Sequence, residues 1–169
     1  MQPRINNPAV LLPDAMPSLL ALNSVVEKSG LSPSITGLVH LRISQVNGCS
    51  VCVDIGWRQL KKGGEKDERL FAISAWRDAP YFSGAERAAL ELAEAATRLA
   101  DRSDPVPDAI WHEAAVYFSE RELAALTLSI AVTNVWNRLN IVTRQIAGEW
   151  IKSSAAGAKQ WTENHATVS

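Results

Sequence analysis

Long apolar runs are missing from this sequence, cysteine is nearly missing, and neither sign of charge is in excess. Each shortage removes a class of protein. No stretch approaches the ~20 consecutive apolar residues of a membrane-spanning helix. The start, Met1 to Pro8, has neither the apolar run nor the small-residue cleavage site of a secretory signal. A cytoplasmic protein with no membrane contact is therefore expected. Seventeen Lys plus Arg against eighteen Asp plus Glu leave a formal net charge of −1, too weak a field to collect nucleic acid, anionic lipid or an acidic substrate. The two cysteines stand alone, because His40, His112 and His165 form no paired motif near them and the four ligands of a structural zinc are not in sight. No metal and no cofactor are expected.

What is present is helical. The length of 169 residues suits one domain with a substantial core, taken here as residues 1–152 with a loosely held tail over 153–169, where small and polar residues lose all core periodicity. Asp14 to Lys28 spaces Met16, Leu19, Leu20, Val25 and Val26 near three and four, and Gly30 follows as a stop. Ser32-Pro33 reads as N-cap and first-turn proline of a helix that halts at Asn47-Gly48. Cys49 to Lys62 forms the next helix, and Glu65 to Trp76 another short one before Asp78-Ala79-Pro80. Ser83 with Glu86 and Ser119 with Glu122 fit capping boxes opening helices over 87–100 and 121–139, and Asp108 to Tyr117 lies between them. An all-α bundle follows, with no internal repeat.

Cys49-Ser50-Val51-Cys52 follows a helix-stopping Asn47-Gly48 and so stands at a helix N-terminus, where backbone N–H groups and the helix dipole favour a thiolate over a thiol. Such a pair can open and close a disulfide, one sulfur attacking a peroxide or disulfide and the other resolving the product. The plainer alternative is two buried small hydrophobes, since free cysteine is among the most buried residue types.

The stretch from Leu38 to Asp54 resembles the active-site signature of the AhpD-like (carboxymuconolactone decarboxylase-like) family. The stretches 67–72, 75–77, 81–82, 86–90 and 134–139 are similar to that family in the same order, so the resemblance covers about residues 14 to 148. It implies an AhpD-like helical bundle assembled as a dimer, trimer or hexamer, and peroxidase or disulfide-reductase activity through Cys49 and Cys52, with a hydroperoxide or disulfide as substrate and a dithiol as reductant. Two positions depart from the signature. Its histidine four residues beyond the second cysteine, a general base toward the thiol, is Gly56 here, and its glutamate twelve residues before the first cysteine is Gly37. A glycine inside a helix costs up to ~1 kcal/mol relative to alanine, so either close packing by backbone or a bulky neighbour such as Trp57, or loss of a former histidine, is needed to explain Gly56.

Two residues are candidate replacements for the missing base. Glu94 lies on an alanine- and leucine-rich helix face, where a partly buried carboxyl would have a raised pKa and could take a thiol proton; otherwise it is a solvated surface glutamate. His40, one turn after Gly37, could fill part of the vacated space; otherwise it is a structural or surface histidine. Asp54 reads as a first-turn residue stabilising its helix. Trp136-Asn137-Arg138 could line a pocket, but packing or subunit architecture is the favoured reading, and six tryptophans fit a chain that buries surface between copies. The functional expectation is a thiol-disulfide antioxidant enzyme. A catalytically degenerate oligomeric scaffold or small-molecule binder of the same fold is the alternative, and a lyase of the carboxymuconolactone decarboxylase type is less favoured because that branch does not rely on a cysteine pair.

Overall fold

Capping side chains and glycines set where the helices begin and end. In the computed structural model, which describes residues 2–150, α1 (Pro8–Leu11) opens at Asn7, whose side chain accepts the Ala9 amide. After α2 (Ala15–Glu27) comes α3 (Pro33–Asn47), with Pro33 in its first turn. It stops at Gly48, whose φ of +73° is the left-handed conformation that only glycine adopts without penalty. Two residues, Gly48 and Cys49, separate α3 from α4 (Ser50–Lys62). α5 (Asp67–Ala72) is prolonged by a 3₁₀ turn over Ile73–Ala75. α6 (Gly84–Thr97), α7 (Asp108–Tyr117) and the 24-residue α8 (Glu120–Thr143) complete the described residues, α6 and α8 each with a full capping box.

The all-α expectation holds, with shifts at some boundaries. The helix expected over 65–76 tightens into the 3₁₀ turn after Ala72. That expected over 87–100 spans Gly84–Thr97, because the Ser83 and Glu86 capping box places the first turn directly after Ser83 and Arg98 leaves the helix ahead of a 3₁₀ turn over Leu99–Asp101. That expected to end at Leu139 runs on to Thr143, where Arg144 takes the left-handed conformation at φ 56°. The tail expected over 153–169 lies outside the described residues.

α3 is the hub, packed against α4, α6 and α8. On one side Val39 and Ile43 meet Ala89, Leu92 and Ala93 of α6 and Leu126 of α8; on the other Leu38 and Leu41 meet Leu60, Leu70, Ile73 and Trp76. Alanines along α6 let its axis approach α3 closely, since the side chains at a crossing set the interaxial distance. Among the described residues no helix is long and apolar enough to cross a membrane.

Candidate active site around Cys49 and Cys52

The local sequence positions both sulfurs. Gly48 reverses the chain so that Cys49 becomes the N-cap of α4, its Sγ accepting the Cys52 amide at 3.3 Å. Cys49 and Cys52 are joined as a disulfide, with Cα atoms 5.3 Å apart. The turn is pinned to α8 by Asn47, whose amide donates to Asn134 Oδ1 at 3.0 Å and Asn137 Oδ1 at 2.8 Å. Asn137, fully buried, donates in turn to Ser44 Oγ at 3.2 Å. Buried polar groups need such partners, and here the partners fix the geometry of the hairpin.

The two sulfurs differ in outlook. Both cysteines are almost fully buried, but Cys52 lies in the wall of a cavity of about 670 Å³ between α2, α3, α4 and α8, and Cys49 does not. Leu20, Val26, Ile55 and Leu60 line the apolar part of this cavity, while His40, Thr133, Trp136 and Asn140 stand with Cys52. Trp136 and Trp150 also pack on the Cys49, Val51 and Cys52 cluster. Asn140 donates its amide to Cys52 Sγ at 3.3 Å. Asp54 lies outside the sulfur chemistry, accepting from Arg58 at 2.9 Å and from the Trp150 indole at 3.0 Å.

His40 occupies the place that Gly56 leaves open. A Cβ on residue 56 would lie 2.8 Å from His40 Cδ2, so the neighbour that requires glycine is this imidazole, and Trp57 is half-exposed elsewhere. Its Nε2 is 3.2 Å from the Cys52 carbonyl oxygen. A carbonyl only accepts, so Nε2 carries the proton and Nδ1 is the basic nitrogen, 3.5 Å from Thr133 Oγ1. Burial pushes the imidazole below its ordinary pKa and the hydrogen bond to Cys52 opposes this only in part, so the ring is neutral near pH 7. Gly37 is filled differently: a Cβ there would stand 2.7 Å from Leu60 Cδ2.

Glu94 corrects the expectation of a raised pKa. Burial alone would push its carboxyl up, but hydrogen bonds from Trp76 Nε1 at 3.0 Å, Arg77 at 2.7 Å and Arg42 Nε at 2.5 Å, with the Arg42 charge, hold it below the ordinary carboxylate range. It is an ionised joint between α3, α6 and the turn after α5, absent from the cavity wall. A carboxylate so held is a poor acceptor for a thiol proton. Asn137 and Arg138 serve architecture, Arg138 donating to Asn134 at 3.0 Å, whereas Trp136 also reaches the cavity. Thr133, Asn140 and Asn7 were not singled out from the sequence. For α8 the signal was a series of polar residues at helical spacing, Ser129, Thr133, Asn137 and Asn140, inside an otherwise apolar helix. Among the described residues no cluster of His, Cys, Asp and Glu could hold a metal ion.

The contact between residues 40 and 56 makes a coupled prediction. Gly56→Ala is expected to destabilise the fold by about 1–3 kcal/mol through overpacking against His40. The same change made together with His40→Ala should recover most of that loss, as residues in contact are non-additive. Urea unfolding of the two single variants and the double variant measures it; strictly additive losses would refute the contact.

Comparison with known proteins gives a consistent outcome. The sequence pattern of the carboxymuconolactone decarboxylase family matches residues 13–95. The uncharacterized protein YdfG of Bacillus subtilis is 30% identical over 131 residues, 78% of this chain and 88% of YdfG. A crystal structure from Agrobacterium tumefaciens, of a protein of unknown function provisionally named an AhpD antioxidant defence protein, superposes with a TM-score of 0.81 at 32% identity. That match covers 86% of this chain and 98% of the other. The debrominase Bmp8 shares the fold with a TM-score of 0.72 at 20% identity, over 80% of this chain and 72% of Bmp8.

Proposed function

The chain belongs to the AhpD-like, carboxymuconolactone decarboxylase-like family, and from that premise we propose that it is a thiol-disulfide oxidoreductase that reduces hydroperoxides, or the disulfide of a partner, with Cys52 as the attacking sulfur and Cys49 as the resolving one. The observation that carries the reading is that the two sulfurs are already paired at the start of α4 while Cys52 alone lines a cavity. Cys52 thiolate attacks the terminal oxygen of a hydroperoxide, the O–O bond breaks, and the alcohol leaves as its oxygen takes a proton. The Cys49 sulfur then displaces hydroxide from the Cys52 sulfenic acid, giving water and the disulfide. A dithiol reductant supplies two electrons and two protons to reopen it. The neutral His40, with Nδ1 as acceptor beside Thr133, takes the part of general base.

The cavity of about 670 Å³, apolar over much of its wall, accommodates an organic hydroperoxide. Exposed apolar side chains on α8, Val135, Ile141 and Val142, support assembly with further copies. The degenerate-scaffold reading draws on one observation, that His40 and Leu60 fill the space at Gly56 and Gly37.

The test uses the full chain, reduced and freed of reductant, then mixed with hydrogen peroxide or cumene hydroperoxide. Thiol titration, with mass spectrometry to locate a Cys49–Cys52 bridge, is expected to show two thiols lost per peroxide consumed, and sustained turnover when dithiothreitol is added. Thiols that stay reduced while peroxide persists would leave the scaffold reading in possession.

A further inference from the structure

We infer that Asn140 is a catalytic residue that stabilises the Cys52 thiolate, and that Asn7 sets its polarity. The inference rests on the reading that Cys52 works as a thiolate. A chain of hydrogen bonds leads from α1 to Cys52, and its direction is fixed at one end. The Ala9 backbone N–H can only donate, and it points at Asn7 Oδ1 at 2.9 Å as part of the α1 cap. Asn7 must therefore turn its NH₂ the other way, toward Asn140 Oδ1 at 2.8 Å. With its carbonyl committed, Asn140 has only its NH₂ left to present to Cys52 Sγ, 3.3 Å away. The amide cannot rotate to show its oxygen to the sulfur without losing the bond from Asn7 and setting its own NH₂ against that of Asn7.

A donor so held prefers the charged form of the sulfur. Hydrogen bonds to an ionised partner are about twice as strong as neutral ones, and this one needs no reorganisation when the disulfide opens. The other titratable groups around Cys52 are Cys49 on the same turn, His40 on α3 and, farther along the cavity wall, Glu27 on α2 and Glu65 after α4. Asp54, on α4 itself, is engaged by Arg58 and Trp150. Among the described residues no lysine or arginine lines the cavity, and the α4 amide that bonds a sulfur reaches Cys49, so Asn140 is the donor placed to hold negative charge on Cys52.

The experiment is the pH dependence of iodoacetamide alkylation in a Cys49→Ser background, where Cys52 alone reacts and serine keeps an N-cap oxygen. Asn140→Leu removes the donor without adding charge and is expected to move the midpoint up by about one to two pH units, the equivalent of one lost hydrogen bond to a charged group. Asn7→Asp preserves the α1 cap but offers an acceptor to Asn140, turning its carbonyl toward the sulfur. The midpoint should again rise, and the rise should persist at high salt, which weakens the repulsion from the added carboxylate but leaves the turned amide in place. A contact that served only packing would lower the melting temperature and leave the midpoint in place.

An unmoved midpoint in folded Asn140→Leu overturns the inference; if that variant does not fold, an unmoved midpoint in Asn7→Asp does so. Peroxide turnover of the wild type is scored separately. Shifted midpoints without wild-type turnover would retain Asn140 and reject the peroxidase, and turnover with unmoved midpoints would do the reverse.

Discussion

Replacing Cys52 with serine is expected to reduce dithiol-driven hydroperoxide turnover by on the order of a thousandfold or more, the scale of losing a nucleophile outright. A serine hydroxyl at this position has no thiolate to form and no sulfenic acid to pass on. Replacing Cys49 has a different signature. The cavity-facing sulfur is still present, so one equivalent of peroxide should be consumed in a burst, leaving Cys52 as a sulfenic acid that a trapping reagent captures and no disulfide by mass. The two variants separate the roles because only one sulfur reaches the cavity. A burst in Cys52→Ser and none in Cys49→Ser would reverse the assignment, and equal residual turnover in both would reject a two-cysteine mechanism.

Glu94→Ala is expected to produce the largest loss of stability, about 3–5 kcal/mol, by stranding the Arg42 guanidinium in a poorly solvated position. The Trp76 indole N–H loses its acceptor as well. Arg77, half-exposed and stacked 4.2 Å over the Trp76 ring, can turn to water, so its share is small. Replacing Arg42 and Glu94 together with leucines should recover the share due to Arg42, since an apolar pair of similar volume needs no partners, while the Trp76 indole N–H still lacks its acceptor. Guanidinium denaturation measures each step, and a loss below about 1 kcal/mol in Glu94→Ala would refute the joint. Turnover per folded molecule is expected to be unchanged, because Glu94 does not line the cavity.

The same groups predict how acid unfolds the protein. Glu94 binds its proton less readily when folded than when unfolded, so its contribution is present above the unfolded pKa near 4.5 and is lost as pH falls through the lower folded value. His40 also has a folded pKa below its unfolded value near 6.5, so stability declines as pH drops below about 6.5. Two falls are expected in a stability profile against pH, and His40→Ala should remove the upper one.

Much of the architecture was legible because its signals are local. Both Ser-x-x-Glu pairs, Pro33 and Asn47-Gly48 act within one turn of the backbone, where no distant contact can override them. α1 was missed because four residues carry no periodicity. The cysteine pair was legible for the same local reason, but its surroundings were not: Asn140 is 88 positions from Cys52, and Asn7 is 133 from Asn140. Glu94 shows how a local pattern misleads. Its alanine-leucine neighbours correctly indicate burial, yet the sign of the pKa change is decided by Arg42, Trp76 and Arg77, whose arrival depends on how α3 and α5 dock.

Trp136 and Trp150, packed on the cysteine cluster, give the protein an optical indicator of its own oxidation state. A nearby disulfide quenches an indole by accepting an electron from its excited state, so the emission of these two side chains is expected to rise when the bridge opens. Half-exposed Trp57 and Trp111 add a steady background. Opening and closing of the bridge is thus expected to register as a change in ultraviolet emission, with no dye and no coupled enzyme.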